Sequence, residues 1–256
     1  MMKMIRKLST LGLCLLCFSM SSVQAESNKI TFSTEAWKDA TNKDGTGLYW
    51  DIFRAVYEPE GYTVETKIRT YERAVNLVKK NKVDVMVGSY IGEIENVIYP
   101  QNYFAVDIVQ AVYLKSTKND WRGLESIDGK IAGWIKGYSY DDYLPEGVLG
   151  NTAINRLHNR RTAFALLGKK QLDYFIDAKA DISDFLNTNA GYNAEDFVRN
   201  TILELKLYVV FTDNERGKKL AGIFDERFSA LLAQGEIKKL YEKYKDSTMT
   251  YPAEFN

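Results

Sequence analysis

The chain has 256 residues, with 34 basic and 34 acidic side chains, one histidine and two cysteines. A single histidine, His158, excludes a histidine-rich zinc site and leaves only one residue on which a Ser-His-Asp triad could be built. The balanced charge and the lack of a basic patch argue against a nucleic-acid partner, and no motif indicates a metal or an organic cofactor.

The first 25 residues have the pattern of a signal peptide. The apolar run at 11–20 is too short to cross a bilayer core of about 30 Å as a helix. We expect cleavage after Ala25, export to the periplasm, and a mature chain with no cysteine and a net charge of −3. The residues that carry this pattern are Lys3, Arg6 and Lys7 before the apolar run and Val23-Gln24-Ala25 after it.

Strand-like and helix-like segments alternate in the mature chain, which predicts an α/β fold. A first β-α-β-α-β series has short apolar strands and helices with apolar residues at helical spacing. This order predicts a parallel sheet with right-handed crossovers. Its elements are a strand at 30–33, a helix at 50–57, a strand at 64–68, a helix at 72–78 and a strand at 83–87.

A second series begins near Leu124. It comprises a strand at 131–135, a helix beginning near Asp141, a helix at 160–167 closed by Gly168, a strand at 172–176, a long strand at 205–211, and two helices within 216–244 that are separated at Gln234-Gly235. Two such series predict either two lobes or one larger sheet, and the pattern alone leaves both open.

Five segments follow one another in an order that is typical of a known family. They are Gly47 to Asp51 (GLYWD), Asn81 to Gly88 (NKVDVMVG), Leu124 to Tyr140, Ala165 to Asp177 and Gly235 to Tyr244. In this order, behind a signal peptide, they resemble the amino-acid-type (family 3) periplasmic solute-binding proteins over nearly the whole mature chain.

The resemblance implies the two-lobe, Venus-flytrap fold of the type 2 periplasmic binding proteins, an α/β fold with two hinge crossings. Lobe 1 would comprise 26–112 plus 208–256, and lobe 2 would comprise 113–207. The crossings would lie near Gln110 to Leu114 and Leu205 to Val209. It also implies a ligand cleft between the lobes, closure about the hinge, and a monomeric protein.

In lobe 1 the resemblance points to Glu35 and Trp37, just after the first strand. Trp37 offers an apolar wall for an aliphatic stem or a cationic head, and Glu35 offers an acceptor for an amine. Each has a structural alternative, because Trp37 also suits the core or the surface and Glu35 also suits a solvated position.

In lobe 2 the resemblance points to Gly137, Tyr138 and Ser139, which precede a predicted helix. Free N–H groups at a helix start favour a carboxylate, and Ser139 also suits the role of a plain N-cap. Asp177 resembles the family's acidic group for a ligand amine. It stands one residue earlier than the usual spacing, with Ala178 in the expected place.

The main departure from the family lies after the strand at 83–87. Amino-acid binders carry Thr-x-x-Arg there, and its arginine grips the ligand carboxylate. This chain has Ser89, Tyr90 and then Glu93 and Glu95, with no arginine in the loop. A glutamate at this place repels a carboxylate.

Two hypotheses restore a consistent site. Arg73 takes over the carboxylate, its alternative being a surface helix arginine. Otherwise the cleft is acidic, with Glu35, Glu93 and Asp177, and accepts an amine-rich ligand such as a polyamine, since a cation offsets the cost of buried carboxylates.

We therefore predict a binding protein and not an enzyme, with a small polar amine-bearing ligand that is delivered to a membrane permease of the ABC transporter class. Two alternatives stay open. One is a ligand-sensing partner of a membrane signalling receptor. The other is an enzyme that resembles cyclohexadienyl dehydratases, with Glu93 or Asp177 as the acid and Arg73 in the cleft.

Overall fold

The computed structural model describes residues 27–117 and 120–255. The predicted signal peptide and its cleavage site lie outside the described residues. Within the described ranges, none of the helices is long and apolar enough to cross a membrane.

The described residues form nine strands and six α-helices. The strands are β1 Lys29–Thr34, β2 Thr63–Ile68, β3 Val85–Tyr90, β4 Val97–Ile98, β5 Ala105–Leu114, β6 Ile131–Ile135, β7 Ala153–Leu157, β8 Tyr174–Ala178 and β9 Phe197–Thr212. The helices are α1 Leu48–Tyr57, α2 Tyr71–Lys79, α3 Arg160–Gly168, α4 Lys179–Thr188, α5 Glu215–Ala233 and α6 Glu236–Lys243.

Hydrogen bonding joins the strands in the order β2-β1-β3-β9-β5-β8-β6-β7, with β4 beside β9. Strand β1 is parallel to β2 and β3, and β6 is parallel to β7 and β8. The parallel sheet predicted for the first series is confirmed. The antiparallel strands β5 and β9 join the two parallel groups, and their pairing runs from Ala105 with Leu207 to Leu114 with Phe197.

The two parallel groups carry separate helices, and we call each group with its helices a lobe. In the first lobe α1 contacts α5 and α6, and α2 packs on the other face of β1 and β3. A strand covered by helices on both faces has apolar side chains pointing alternately to each face. In β3, Val85 and Val87 face the core beneath α1 and α5, whereas Met86 packs with α2. In the second lobe α3 and α4 both pack against β8.

Two predicted elements differ from the structure, and one α-helix was not predicted. The helix predicted near Asp141 is only a 3₁₀ turn at Tyr140–Tyr143. Leu144 is extended before Pro145, which prevents a helix from continuing. Strand β9 spans 16 residues but is continuously buried only over its last six, from Leu207 to Thr212, and an apolar run therefore revealed only 205–211. Helix α4 was not predicted, because it follows β8 directly and its N-cap residue, Ala178, has no capping side chain.

Two glycines of α5 provide a matched test of packing at the start of this helix. A Cβ on Gly217 would collide with the carbonyl oxygen of Thr212, whereas a Cβ on Gly222 would meet no atom within 4 Å. We expect Gly217→Ala to lower the free energy of unfolding by about 2 to 3 kcal/mol, because backbone must move. We expect Gly222→Ala to raise it by about 0.5 to 1 kcal/mol. Urea denaturation of both variants measures the difference, and a shift of the same sign in both would contradict the close contact.

Candidate ligand-binding site

A cavity lies between the two lobes, against the joining strands β5 and β9. It encloses about 650 Å³, part of which is open to solvent. This size suits a small molecule. The lining residues are Trp37, Lys38, Ala40, Tyr49, Tyr71, Gly88, Tyr90, Glu93, Asp107, Tyr138, Tyr140, Ala178, Ala180, Asp181, Asp184, Leu207 and Met249.

Aromatic rings from both lobes form much of the cavity wall. The ring of Tyr138, in the second lobe, lies 5.5 Å from that of Tyr71 in the first lobe and 5.7 Å from that of Tyr140. The indole N–H of Trp37 donates to the Tyr138 hydroxyl at 3.4 Å. Tyr138 in turn donates to Glu35 at 3.4 Å. The aromatic wall therefore links the lobes as well as facing the ligand space.

Gly88 lets the indole of Trp37 approach β3. It has a φ of +92° and stands at a bulge, where the register between β3 and β9 shifts. A Cβ at this position would collide with the six-membered part of the Trp37 ring. The glycine therefore fixes where one wall of the cavity stands.

Glu93 is an acidic residue of the first lobe that lines the cavity, and three donors hold one of its oxygens. Its Oε2 accepts hydrogen bonds from the Tyr71 hydroxyl at 2.6 Å, from Ser89 Oγ at 3.0 Å and from the Tyr90 backbone N–H at 3.0 Å. Burial raises the pKa of Glu93, and these donors and Ser139 act against that rise. The carboxyl group is thus fixed in place beside the ligand space.

Asp107 is the acidic group of the joining strand β5. Its Oδ2 accepts a hydrogen bond of 2.6 Å from the Tyr90 hydroxyl. Burial raises the pKa of Asp107 to about 6, Tyr90 opposes the rise, and the nearby charge of Asp177 adds to it. Tyr90 therefore contacts Glu93 through its backbone and Asp107 through its side chain.

The second lobe contributes an arginine that is held between two aspartates. Arg160 Nε donates to Asp177 Oδ2 at 2.7 Å, and its Nη2 donates to Asp181 Oδ2 at 2.6 Å. Asp177 is fully buried, whereas Asp181 lines the cavity. Burial raises the pKa of Asp181 to about 8, with the charge of Asp177 adding to the rise and Arg160 opposing it. The guanidinium is already matched by two carboxyl groups.

A weaker ion pair crosses the rim of the cavity. Lys38 Nζ lies 3.3 Å from Asp184 Oδ1, and the two side chains are 51% and 35% exposed. Lys38 follows β1 in the first lobe, and Asp184 lies on α4 in the second. Both cations beside the cavity, Arg160 and Lys38, are thus paired with carboxyl groups of α4.

Most of the ten predicted site residues lie on or next to the cavity. Four of them line it: Trp37, Tyr90, Glu93 and Tyr138. Glu35 is bonded to Tyr138, and Ser89 is buried and bonded to Glu93.

Four predicted residues, Arg73, Asp177, Gly137 and Ser139, do not line the cavity, although Ser139 is hydrogen-bonded to Glu93. Arg73 is exposed on α2 and does not line the cavity, although Tyr71 two residues earlier does. Asp177 lies behind Arg160, and Gly137 is exposed beside Glu72. Ser139 precedes only the short 3₁₀ turn and makes no side-chain cap, so the structure has no helix start there for an anion.

Three acidic lining residues were missed by the sequence reasoning: Asp107, Asp181 and Asp184. Asp107 lies on β5, whose facing direction depends on β9, and no local motif marks it. Asp181 and Asp184 lie on α4, one turn and two turns after the strand end that holds Asp177. A predicted helix after β8 would have pointed to them.

No protein-family model matches this sequence, and the comparison with curated proteins gives no match either. Solved structures do match. A sensor domain of a histidine kinase with similarity to periplasmic binding proteins superimposes with a TM-score of 0.71 at 17% identity, covering 88% of this chain and 99% of that one. The chain has the fold of the periplasmic solute-binding proteins.

Two further structures with this fold differ in their ligands or descent. The substrate-binding protein of an ABC uptake transporter from Streptococcus pneumoniae, with bound histidine, gives a TM-score of 0.68 at 19% identity over 88% of this chain and 95% of that one. An ancestral amino-acid-binding protein that is a precursor of cyclohexadienyl dehydratase gives a TM-score of 0.66 at 15% identity, covering 84% of this chain and 95% of that one. At these identities the comparison establishes the two-lobe fold.

Proposed function

We propose that this chain is an exported, periplasmic solute-binding protein that closes its two lobes around a small amine-bearing cation. One observation carries the proposal: the cavity is lined by four carboxyl groups, and the two cations beside it are already paired. These carboxyl groups are Glu93, Asp107, Asp181 and Asp184.

The electrostatic cost of this cavity explains why the ligand is a cation. Burial raises the pKa of Glu35, Glu93, Asp107 and Asp181, so each carboxylate lacks part of the solvation it has in water. An ammonium group offsets that cost, and aromatic faces attract it further. An anionic ligand would add to the repulsion.

The joining strands supply the hinge in this proposal. The predicted lobe boundary at 112/113 falls within β5, and the one at 207/208 falls within β9. Contacts between the lobes surround the cavity, such as the Tyr143 hydroxyl donating to the Ile91 carbonyl at 3.2 Å. A ligand that touches both lobes strengthens these contacts and favours the closed form.

We propose delivery to an ABC transporter as the output. The solved structures with this fold include both an ABC substrate-binding protein and a kinase sensor domain, so the fold itself is found with either output. The enzyme hypothesis required Arg73 beside a carboxylate substrate, and Arg73 is exposed outside the cavity. Burial raises the pKa of Glu93 as an acid would require, but the cavity offers a carboxylate substrate no unpaired cation among the described lining residues.

A thermal-shift series tests the proposal. We expect amines and basic amino acids to raise the melting temperature, and glutamate and other dicarboxylates to leave it unchanged. At a hundredfold excess over its Kd, a ligand adds about 2.7 kcal/mol to the stability of the folded protein. A series in which only carboxylates raise the melting temperature would refute the proposal.

Two glutamates of one loop provide the matched variants. Glu93 lines the cavity, and Glu95 is exposed two residues later. We expect Glu93→Gln to weaken amine binding at least about tenfold, which corresponds to about 1.4 kcal/mol. Glu95→Gln should bind like the unmodified protein, and equal losses in both variants would show that loop charge in general, and not the cavity carboxyl, attracts the amine.

A further inference from the structure

We propose that the cavity is a two-pole site for a linear aliphatic diamine, with Glu93 at one pole and Asp107 beside Asp181 at the other. This inference rests on the proposed function and names the ligand class of the same cavity.

Tyr90 fixes the distance between the two poles. Its backbone N–H donates to Glu93, and its hydroxyl donates to Asp107. Glu93 and Asp107 are therefore held apart by the length of one tyrosine residue, whereas Asp181 reaches the second pole from α4 of the other lobe. A rigid pair of separated acceptors selects a ligand whose two cationic groups are also separated.

The charges around the cavity call for more than one positive charge on the ligand. Two cations, Lys38 and Arg160, lie beside the cavity, and the carboxyl groups there outnumber them. That set is Glu35, Glu93, Asp107, Asp177, Asp181 and Asp184. A single ammonium group near Glu93 leaves Asp107 without a cation, and one near Asp107 leaves Glu93 without a cation, and either arrangement costs binding free energy.

Apolar surface elsewhere in the cavity suits a methylene chain. Trp37, Tyr140, Ala178, Leu207 and Met249 contribute rings, small side chains and a flexible thioether to the lining. Such surface gains free energy from covering methylene groups.

The cavity gives an α-carboxylate no good partner. Arg160 is occupied by two aspartates, and Lys38 is half-exposed at the rim and paired with Asp184. An amino acid would place its carboxylate near Glu93 or Asp107 with no unpaired cation among the described lining residues. The geometry therefore favours a diamine over a basic α-amino acid.

Isothermal titration calorimetry with two matched ligand series tests this inference. The diamines run from diaminopropane to diaminohexane, with both amines terminal, and the monoamines run from propylamine to hexylamine. We expect the best diamine to bind at least about tenfold more tightly than the monoamine of equal length. Lysine and arginine should bind less tightly than that diamine.

Variants locate the two poles. Glu93→Gln and Asp107→Asn should each reduce the preference for the diamine to about threefold or less, because either change removes one pole. Glu95→Gln and Asp196→Asn, both at exposed positions, should keep the full preference. Tyr90→Phe keeps the ring and the backbone donor to Glu93, and it should weaken the diamine more than the monoamine.

The possible outcomes separate this inference from the proposed function. Equal affinities for diamines and monoamines in the unmodified protein would overturn the two-pole site and leave an amine-binding protein. Tighter binding of lysine or arginine than of any diamine would do the same. Binding of carboxylates with none of the amines would overturn both proposals.

Discussion

Replacing Arg160 with methionine is expected to lower the free energy of unfolding by about 3 to 5 kcal/mol. The guanidinium donates to Asp177, which is fully buried, and to Asp181, which is largely buried. Methionine fills part of the space but supplies no charge and no donor. Two carboxyl groups would then share a poorly solvated site without a cation.

Urea denaturation of Arg160→Met measures this loss, and Arg161→Met is the matched control. Arg161 is the next residue of α3, is exposed, and donates to Asn189 at the surface. Its replacement should change stability by less than about 0.5 kcal/mol. Adding Asp177→Asn to Arg160→Met should restore part of the loss, because it removes one of the unpaired charges.

The same variant distinguishes a structural arginine from one that binds ligand. If Arg160 held a ligand carboxylate, Arg160→Met would abolish binding while stability changed little. The structure predicts the opposite order of effects: a large loss of stability, with amine binding retained in the fraction that stays folded. An unchanged unfolding curve would contradict the pairing of Arg160 with Asp177.

Much of the fold could be predicted from the sequence because its local patterns are strong. Strand β6 has the predicted bounds, and the break between α5 and α6 lies at the predicted Gln234-Gly235. Gly235 adopts the left-handed conformation that ends α5. Such features depend on a few neighbouring residues, and a pattern can therefore find them.

The cavity depends on contacts between distant segments, and these were only partly predictable. The residue that faces the cavity at the start of α2 is Tyr71 and not Arg73, which lies two positions later and therefore points in another direction. The amphipathic spacing of this helix predicted its buried face. It did not predict which part of the helix start borders the cleft.

Asp177 illustrates the same limit in the second lobe. Its position at the end of a predicted strand is where the family resemblance expected an acidic ligand group. The partner that occupies it is Arg160, at the first turn of another helix. Only the packing of α3 beside β8 brings the two together, and no local pattern of the sequence indicates that packing. Asp181, and not Asp177, is the aspartate of this region that lines the cavity.

Affinity for an amine ligand is expected to fall about a hundredfold between pH 8 and pH 6. Asp181 has a pKa raised to about 8, and Asp107 has a pKa raised to about 6. In the empty cavity Asp181 is therefore protonated over much of this range. An ammonium ligand favours the ionised form, so its binding releases a proton, and affinity then changes up to about tenfold per pH unit. Aliphatic amines stay charged throughout, since the comparable lysine pKa is about 10.4.

The sign of this dependence follows from the groups that face Asp181 and Asp107. Arg160 favours ionised Asp181, but burial and the charges of Asp177, Asp107 and Glu35 act against it. The ammonium group of a bound ligand adds a positive charge beside Asp181 and so favours its ionised form.

Calorimetry in two buffers with different ionisation enthalpies counts the protons released. Asp181→Asn should remove the dependence above about pH 7, where Asp107 is already ionised, while exposed Asp196→Asn should retain it. Tighter binding at pH 6 than at pH 8 would mean that the ligand does not displace a proton from these carboxyl groups.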